Sequence, residues 1–168
     1  MIKMDALRSL YISLDFEEPQ TYIQSGNVVF KARERNLALV QKRIQSAIQQ
    51  RFGCCPEVMV RSVADLRAVI ARNPFAKRPD VAPNKLLVFF LAAEAAKEAG
   101  AELGKMAIAP EELHLAKREL YIYFPNGVGK SKLPWSRIDK ALKTAGTGRN
   151  WNSVEKLLQI AERMESAA

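Results

Sequence analysis

Thr21-Tyr22-Ile23-Gln24-Ser25-Gly26-Asn27-Val28-Val29-Phe30-Lys31 is the stretch whose reading decides the architecture. Thr21–Ile23 and Val28–Lys31 are β-branched and aromatic, so they read as two short strands. Gln24-Ser25-Gly26-Asn27 reads as the turn between them, because Gly and Asn adopt the positive φ that a tight hairpin demands. On the N-terminal side, Met4, Leu7, Leu10, Tyr11 and Leu14 recur at helical spacing. On the C-terminal side, Leu37, Val40, Ile44, Ile48 and Phe52 mark a longer helix that Gly53 stops. Glu57–Arg61 then reads as a strand. Ser62 with Asp65 three residues on forms a capping box for a helix over 63–72, which Asn73-Pro74 ends.

The order over 1–73 is therefore α-β-β-α-β-α. One further strand ahead of Met1 would complete β-α-β-β-α-β, the ferredoxin-like split βαβ unit. The expected fold class is α+β, with an N-terminal subdomain at 1–73 built as that unit but missing its first strand. The first strand of such a sheet is central, so its lack is expected to leave strand edges open. Pro74, Pro79 and Pro83 crowd one short stretch, which sets the domain boundary as a Pro-rich linker at 74–84.

A second, related α+β subdomain is expected at 85–168. Lys85–Ala92 is a near-continuous apolar run, the mark of a strand buried on both faces. Glu94–Met106 reads as an Ala-rich helix interrupted by glycines. Glu112–Ala116 and Leu120–Phe124 form a hairpin around Lys117-Arg118-Glu119. Asn126–Lys132 reads as a Gly-containing loop, and Pro134 suits the first turn of a helix with Trp135, Ile138 and Leu142 on its apolar stripe. Thr144–Asn150 reads as a loop. Asn152 is expected to cap the last helix, with Glu155 completing the box.

Composition narrows the function classes. The 168 residues are 48% apolar with no run long enough to span a membrane, so no membrane partner is expected. Twenty-six basic residues against 18 acidic give a net charge of +8, which favours anionic partners. The excess is locally dense at 31–51 and 130–149. The only cysteines, Cys54 and Cys55, are adjacent and make no disulfide framework; with no secretory signal read at the N-terminus, a reducing cytoplasm is expected. One histidine and two cysteines offer no zinc spacing, so no metal and no cofactor is expected.

Three segments hold the candidate site residues. Asn126-Gly127-Val128-Gly129-Lys130-Ser131 follows a strand and precedes a helix, inviting a phosphate-loop reading. The spacing fails, because Phe124 stands where that loop needs its first glycine. A looser anion nest, with Lys130, Ser131 and Lys132, remains beside the plainer reading of a solvated hairpin exit. Arg149-Asn150-Trp151 precedes the last helix. A cation there does not serve the helix dipole, and it suits phosphate or carboxylate or else a structural ion pair. Trp151 either packs against the preceding helix or lines a ligand surface. At the first hairpin, Tyr22, Gln24, Ser25 and Asn27 are either turn construction or ligand contacts. Tyr121 and Tyr123 share one strand face without the aromatic pattern of RNA-recognition folds. His114 has no nucleophile in its local sequence, and no catalytic constellation is evident.

Thr21–Phe30, Gly129-Lys130-Ser131-Lys132-Leu133 and Arg149-Asn150-Trp151-Asn152-Ser153-Val154 together resemble the bacterial domain of unknown function 1697 family, in order over essentially the whole chain. The resemblance implies a two-subdomain α+β protein and no established activity. Family members usually open with a hydrophobic strand and an Arg-Gly-Ile-Asn-Val-Gly-Gly type segment, and this chain matches only after it. They also usually carry Gly between the first helix and the next strand, where Asp15 stands here.

The expected function is non-catalytic binding of an anionic partner, nucleic acid or a phosphorylated molecule. An alternative is a small enzyme acting on a phosphate- or carboxylate-bearing metabolite in a cleft between subdomains, using Tyr22, Gln24, Ser25, Lys130, Arg149 and Asn150. A third is a protein-interaction module that uses the edge left by the absent strand. The sequence carries no signal of oligomeric state.

Overall fold

The structure is a computed structural model that describes residues 2–23 and 26–166. The fold is α+β, and the chain divides into two compact units: Met1–Leu66 with Lys156–Ala168, and Arg67–Glu155.

The first unit contains α1 (Met4–Ser13), β1 (Glu17–Tyr22), β2 (Asn27–Lys31) and α2 (Leu37–Phe52). Leu7, Leu10 and Tyr11 of α1 and Val40, Ile44 and Ile48 of α2 bury their stripes in one cluster with Phe16. Tyr11, Phe16 and Phe30 meet ring to ring, with centroids 4.7 to 5.8 Å apart. Burial pushes the Tyr11 phenol up to about 12. After α1, Asp15 adopts the left-handed conformation at φ 64°, while the Phe16 amide donates to the Tyr11 carbonyl at 3.2 Å. This is the helix ending that a glycine usually serves, and Asp tolerates the position through its short polar side chain. Asn36 caps α2 by accepting from the Ala38 and Leu39 amides, and Gly53 closes it at φ 72°.

β1 and β2 pair antiparallel as a two-stranded sheet, with Tyr22 opposite Asn27 and a bulge between Glu17 and Gln20. Glu57–Arg61, expected as a strand, joins no ladder. Its Val58 and Val60 still pack against the cluster of the first unit. The β-propensity is present, but no strand lies alongside it among the described residues. The capping box at its end forms as expected: the Ser62 amide donates to Asp65 at 2.9 Å, and the Asp65 amide to Ser62 Oγ at 3.0 Å. They open α3 (Val63–Ala71).

The second unit holds β3 (Leu86–Leu91), α4 (Ala99–Gly104), β4 (Glu112–Leu115), β5 (Glu119–Tyr123), α5 (Trp135–Leu142) and β6 (Gly146–Asn150). Its strand order is β4-β5-β3-β6, antiparallel throughout. This is a complete β-α-β-β-α-β unit, with the first strand central between the third and fourth. The segment 144–150, expected as a loop, supplies the fourth strand: Gly148 lies opposite Phe89 and Asn150 opposite Leu87. Expected helix 94–106 shortens to α4, since Gly100 and Gly104 weaken a sequence with little apolar periodicity. α6 (Trp151–Ser166) starts earlier than expected, because Asn150 rather than Asn152 is the cap; the Ser153 amide donates to Asn150 Oδ1 at 2.8 Å. Asn152 is exposed.

One sheet face, through Leu91, Leu120, Ile122 and Phe124, packs with Leu103, Ile138 and Leu142 of the helices. Each such burial is worth roughly 1.5–3 kcal/mol. On the other face the Tyr121 hydroxyl donates to the Val69 carbonyl at 2.6 Å. Burial first, and the Glu119 charge second, push this phenol up to about 12. The stretch 74–84 lies within the second unit, where Phe75 is buried and Tyr123 donates to the Asp80 carbonyl at 3.3 Å.

Candidate functional site

The register of the second unit decides which candidates share a location. Leu86 pairs with Tyr123, and Leu87 pairs with Asn150. The exit of β5 and the start of α6 therefore lie at one end of the sheet. The loop 125–134 leaves from that end, and a 3-10 turn at Pro83–Lys85 precedes β3 there, with the Phe124 amide donating to the Lys85 carbonyl at 2.8 Å. Lys85 and the root of the loop that carries Lys130, Ser131 and Lys132 thus belong to the same sheet end as the amides that open α6. Lys130 and Lys132 are exposed, and neither has an ion-pair partner among the described residues. Gly127 takes φ 87°, the one place in this loop where a side chain would be strained. Ser131 Oγ accepts from the Leu133 amide at 3.2 Å, which fixes the turn into α5.

Arg149 and Trp151 take other roles. Arg149 is half-buried on the β6 face that carries Thr147. Its guanidinium donates to Thr147 Oγ1 at 2.7 Å and to the Gly148 carbonyl at 2.8 Å. Burial lowers its pKa from the usual guanidinium value. Trp151 is 6% exposed, so its indole is a packing residue that offers no ring face to a ligand. Asn150 is occupied by capping.

Tyr22 and Asn27 belong to the first unit, where the Asn27 side-chain amide donates to the Tyr22 carbonyl at 3.2 Å across the hairpin. Gln24 and Ser25 lie outside the described residues. The structure therefore brings Lys130, Ser131, Lys132 and the start of α6 into one unit, with Lys85 added. Lys85 was invisible as a partner in sequence because its place follows from strand register.

Sequence reasoning also missed a charged cluster on the second unit. Arg78 lies 5.6 Å from both the Phe75 and Tyr123 rings, and pairs with Asp80 at 2.9 Å and Glu112 at 2.8 Å. His114 meets the Phe75 ring edge-on at 5.0 Å. Local adjacency of Arg78 and Asp80 was readable; the reach to Glu112 was not. The Arg78 hydrogen bond holds the Asp80 carboxyl below its ordinary range. A carboxylate lowered in the folded state stabilises above its unfolded pKa, and that contribution is lost as pH falls through the folded pKa. Urea midpoints of the wild type and Asp80→Asn are expected to differ at pH 7 and to draw together as pH falls from about 4, the unfolded value, through the lowered folded pKa. A gap of the same size at pH 7 and pH 2 would show that the ion pair is not its source.

In the first unit, a cavity of about 570 Å³ is lined by Asp15, Phe16, Glu17, Arg33, Glu34 and Arg43. Arg43 is committed there, donating to the Leu14 carbonyl at 2.7 Å and lying 5.1 Å from the Phe16 ring centroid. Among the described residues no three metal-ligating side chains gather, and no helix is long and apolar enough to cross a membrane.

A two-unit α+β chain with a ferredoxin-like second unit is the class that this fold defines. The chain belongs to the family described as "Protein of unknown function (DUF1697)", which it matches over residues 1–121. A conserved bacterial protein from Streptococcus pneumoniae has a similar fold at a TM-score of 0.70 and 20% identity, covering 96% of this chain and 89% of its own. No curated protein matches the sequence.

Proposed function

We propose that the protein binds, without catalysis, a partner that presents phosphate groups, either nucleic acid or a phosphorylated molecule. The site is the end of the second unit's sheet where Lys85, Lys130, Ser131 and Lys132 accompany the first amides of α6. The observation that carries this reading is the register: Tyr123 opposite Leu86 and Asn150 opposite Leu87 align the basic loop with a helix start. Helix-opening amides and nearby ammonium groups favour the same ligand chemistry. The net charge of +8 adds long-range attraction for polyanions. Arg149 acts here as a positioning residue, since its bonds to Thr147 and Gly148 brace the strand that ends at the helix cap. A reducing cytoplasmic setting suits the exposed free thiols of Cys54 and Cys55.

Fluorescence anisotropy with a labelled single-stranded oligonucleotide tests the polyanion arm, and calorimetry with inorganic pyrophosphate tests the small-ligand arm. For the oligonucleotide, log K is expected to fall linearly with log salt. Lys130→Ala with Lys132→Ala is expected to reduce that slope by about 1.4, at about 0.7 per phosphate contact on a single strand. Binding of pyrophosphate alone assigns the site to small ligands. Absence of binding by both probes at 50 mM salt, or an unchanged slope in the double variant, overturns the reading.

A further inference from the structure

Trp135 is the one exposed aromatic side chain among the described residues, with 36% of its surface open to solvent. Phe75, Phe90, Tyr121, Tyr123, Phe124 and Trp151 of the same unit are all buried. Covering an indole removes a large apolar surface from water, so an indole left open is one that folding has used only in part.

The ring is held in place. Trp135 opens α5 directly after the loop 125–134, three residues past Lys132 and five past Lys130. Its amide donates to the Leu133 carbonyl at 2.9 Å, and the Leu133 amide donates to Ser131 Oγ at 3.2 Å. Leu133 itself is buried in the core of the unit. One short piece of anchored main chain therefore carries both the indole and the basic loop. Phe89 of β3 backs the indole, with ring centroids 5.4 Å apart and planes at 38°. Gly148, opposite Phe89 in the register, adds no side chain over this part of the sheet. Phe89 covers one side of the indole, so the open surface is directed away from Phe89.

The surroundings are cationic. Lys130 and Lys132 are exposed without ion-pair partners among the described residues, and Arg137 is exposed as well. The one carboxylate of α5, Asp139, stands a turn further on, about 6 Å along the helix axis and away from the loop.

We propose that Trp135 is a base-stacking platform and that the partner of this site is single-stranded nucleic acid. This inference rests on the anion-binding reading of Lys130 and Lys132, and it names the part of the ligand that phosphate contacts leave open. An indole face stacks on an unpaired base whatever its sequence. Duplex DNA keeps its bases stacked on one another, and inorganic polyphosphate has none, so neither engages the ring. A single strand alternates bases with phosphates, so a base on Trp135 brings its flanking phosphates toward the two lysines. An exposed tryptophan also suits a protein interface. Two unpaired ammonium groups within five residues of it favour instead a polyanion that carries rings.

The test uses the full chain with oligo(dT) and, as the anion without bases, inorganic polyphosphate, both at low salt. Trp151 is 6% exposed, so a change in tryptophan fluorescence on binding reports on Trp135. Oligo(dT) is expected to quench that fluorescence, and polyphosphate to bind without quenching. Trp135→Leu is expected to weaken oligo(dT) by about 5- to 150-fold, the effect of losing one stacked base. The same variant is expected to leave polyphosphate affinity, and the slope of log K against log salt, unchanged. Trp135→Phe keeps a ring and is expected to recover most of the loss, while the remaining Trp151 signal in urea verifies that both variants fold. Binding of polyphosphate together with oligo(dT) that does not quench overturns the stacking role and leaves the anion site standing. Equal losses for the two probes in Trp135→Leu, a phenylalanine variant no better than the leucine one, or duplex bound as well as single strand do the same. Absence of binding by both probes overturns the anion site and the stacking role together.

Discussion

Phe124→Ala is expected to destabilise the second unit by about 3–5 kcal/mol, the range for removing a fully buried aromatic ring. Phe124 is 0% exposed and lies in one cluster with Leu91, Ile122, Ile138 and Leu142. Truncation removes the transfer free energy of the ring and leaves a cavity that neighbouring side chains fill only in part. The main chain adds to the cost of local collapse. The Phe124 amide donates to Lys85 at 2.8 Å, and its carbonyl accepts from Gly127 at 3.0 Å, so the residue holds the root of the loop carrying Lys130 and Lys132. Both tryptophans, Trp135 and Trp151, belong to this unit, so urea unfolding followed by tryptophan fluorescence reports on it directly. The midpoint is expected to fall with little change in slope. A loss below about 1 kcal/mol would mean that the ring contributes little packing, against the range expected for a buried aromatic. Binding of the oligonucleotide at a temperature where the variant is still folded is expected to weaken too, since the loop root has lost its anchor.

The elements legible in the sequence are those whose signals are local. α2 carries its stripe and its Gly53 stop in local sequence, and both are in place, while its Asn36 cap went unread. The β4–β5 hairpin alternates and turns where expected. β6 was hidden because Gly-Thr-Gly-Arg-Asn has poor strand propensity, and its identity comes from the side chains of β3 across the ladder. Segment 57–61 shows the converse: good propensity, but no strand ladder among the described residues. Misreading β6 as a loop also displaced the helix cap from Asn150 to Asn152, and it hid the pairing of Arg149 with Thr147, two residues apart on one strand face. The basic loop was legible from charge alone. Its alignment with the start of α6 was not, because that rests on the registers of β5 and β6 against β3. Trp151 read as ambiguous for the same reason, since its burial depends on where β6 delivers the chain.

Gly148→Val is expected to cost about 1–3 kcal/mol even though valine is the better strand former. Neither Gly146 nor Gly148 has positive φ, so backbone conformation does not require glycine at either place. Space does. A Cβ on Gly148 would stand 3.0 Å from Leu87 Cδ2 and 3.1 Å from Phe89 Cε2. Phe89 leans across the strand to meet Trp135, with ring centroids 5.4 Å apart, and the missing side chains leave it that room. Valine adds two methyl groups beyond the crowded Cβ, and this overpacking outweighs a propensity gain of at most about 1 kcal/mol. Gly148→Ala separates the terms. It meets only ends of side chains, which shift by a few tenths of an ångström, and it restricts the unfolded chain, so it is expected within about 1 kcal/mol of wild type. Gly146→Ala is expected to be worse, because its Cβ also meets the Phe90 carbonyl oxygen at 3.3 Å, and main chain in the central strand yields less. The order Gly148→Ala, Gly146→Ala, Gly148→Val in falling urea midpoint checks the argument. A valine variant more stable than wild type would show that strand propensity, not close packing of β3 over β6, governs this edge. The same displacement bears on binding: Arg149 and the Asn150 cap follow Gly148 directly, so valine is expected to weaken anion binding while alanine leaves it intact.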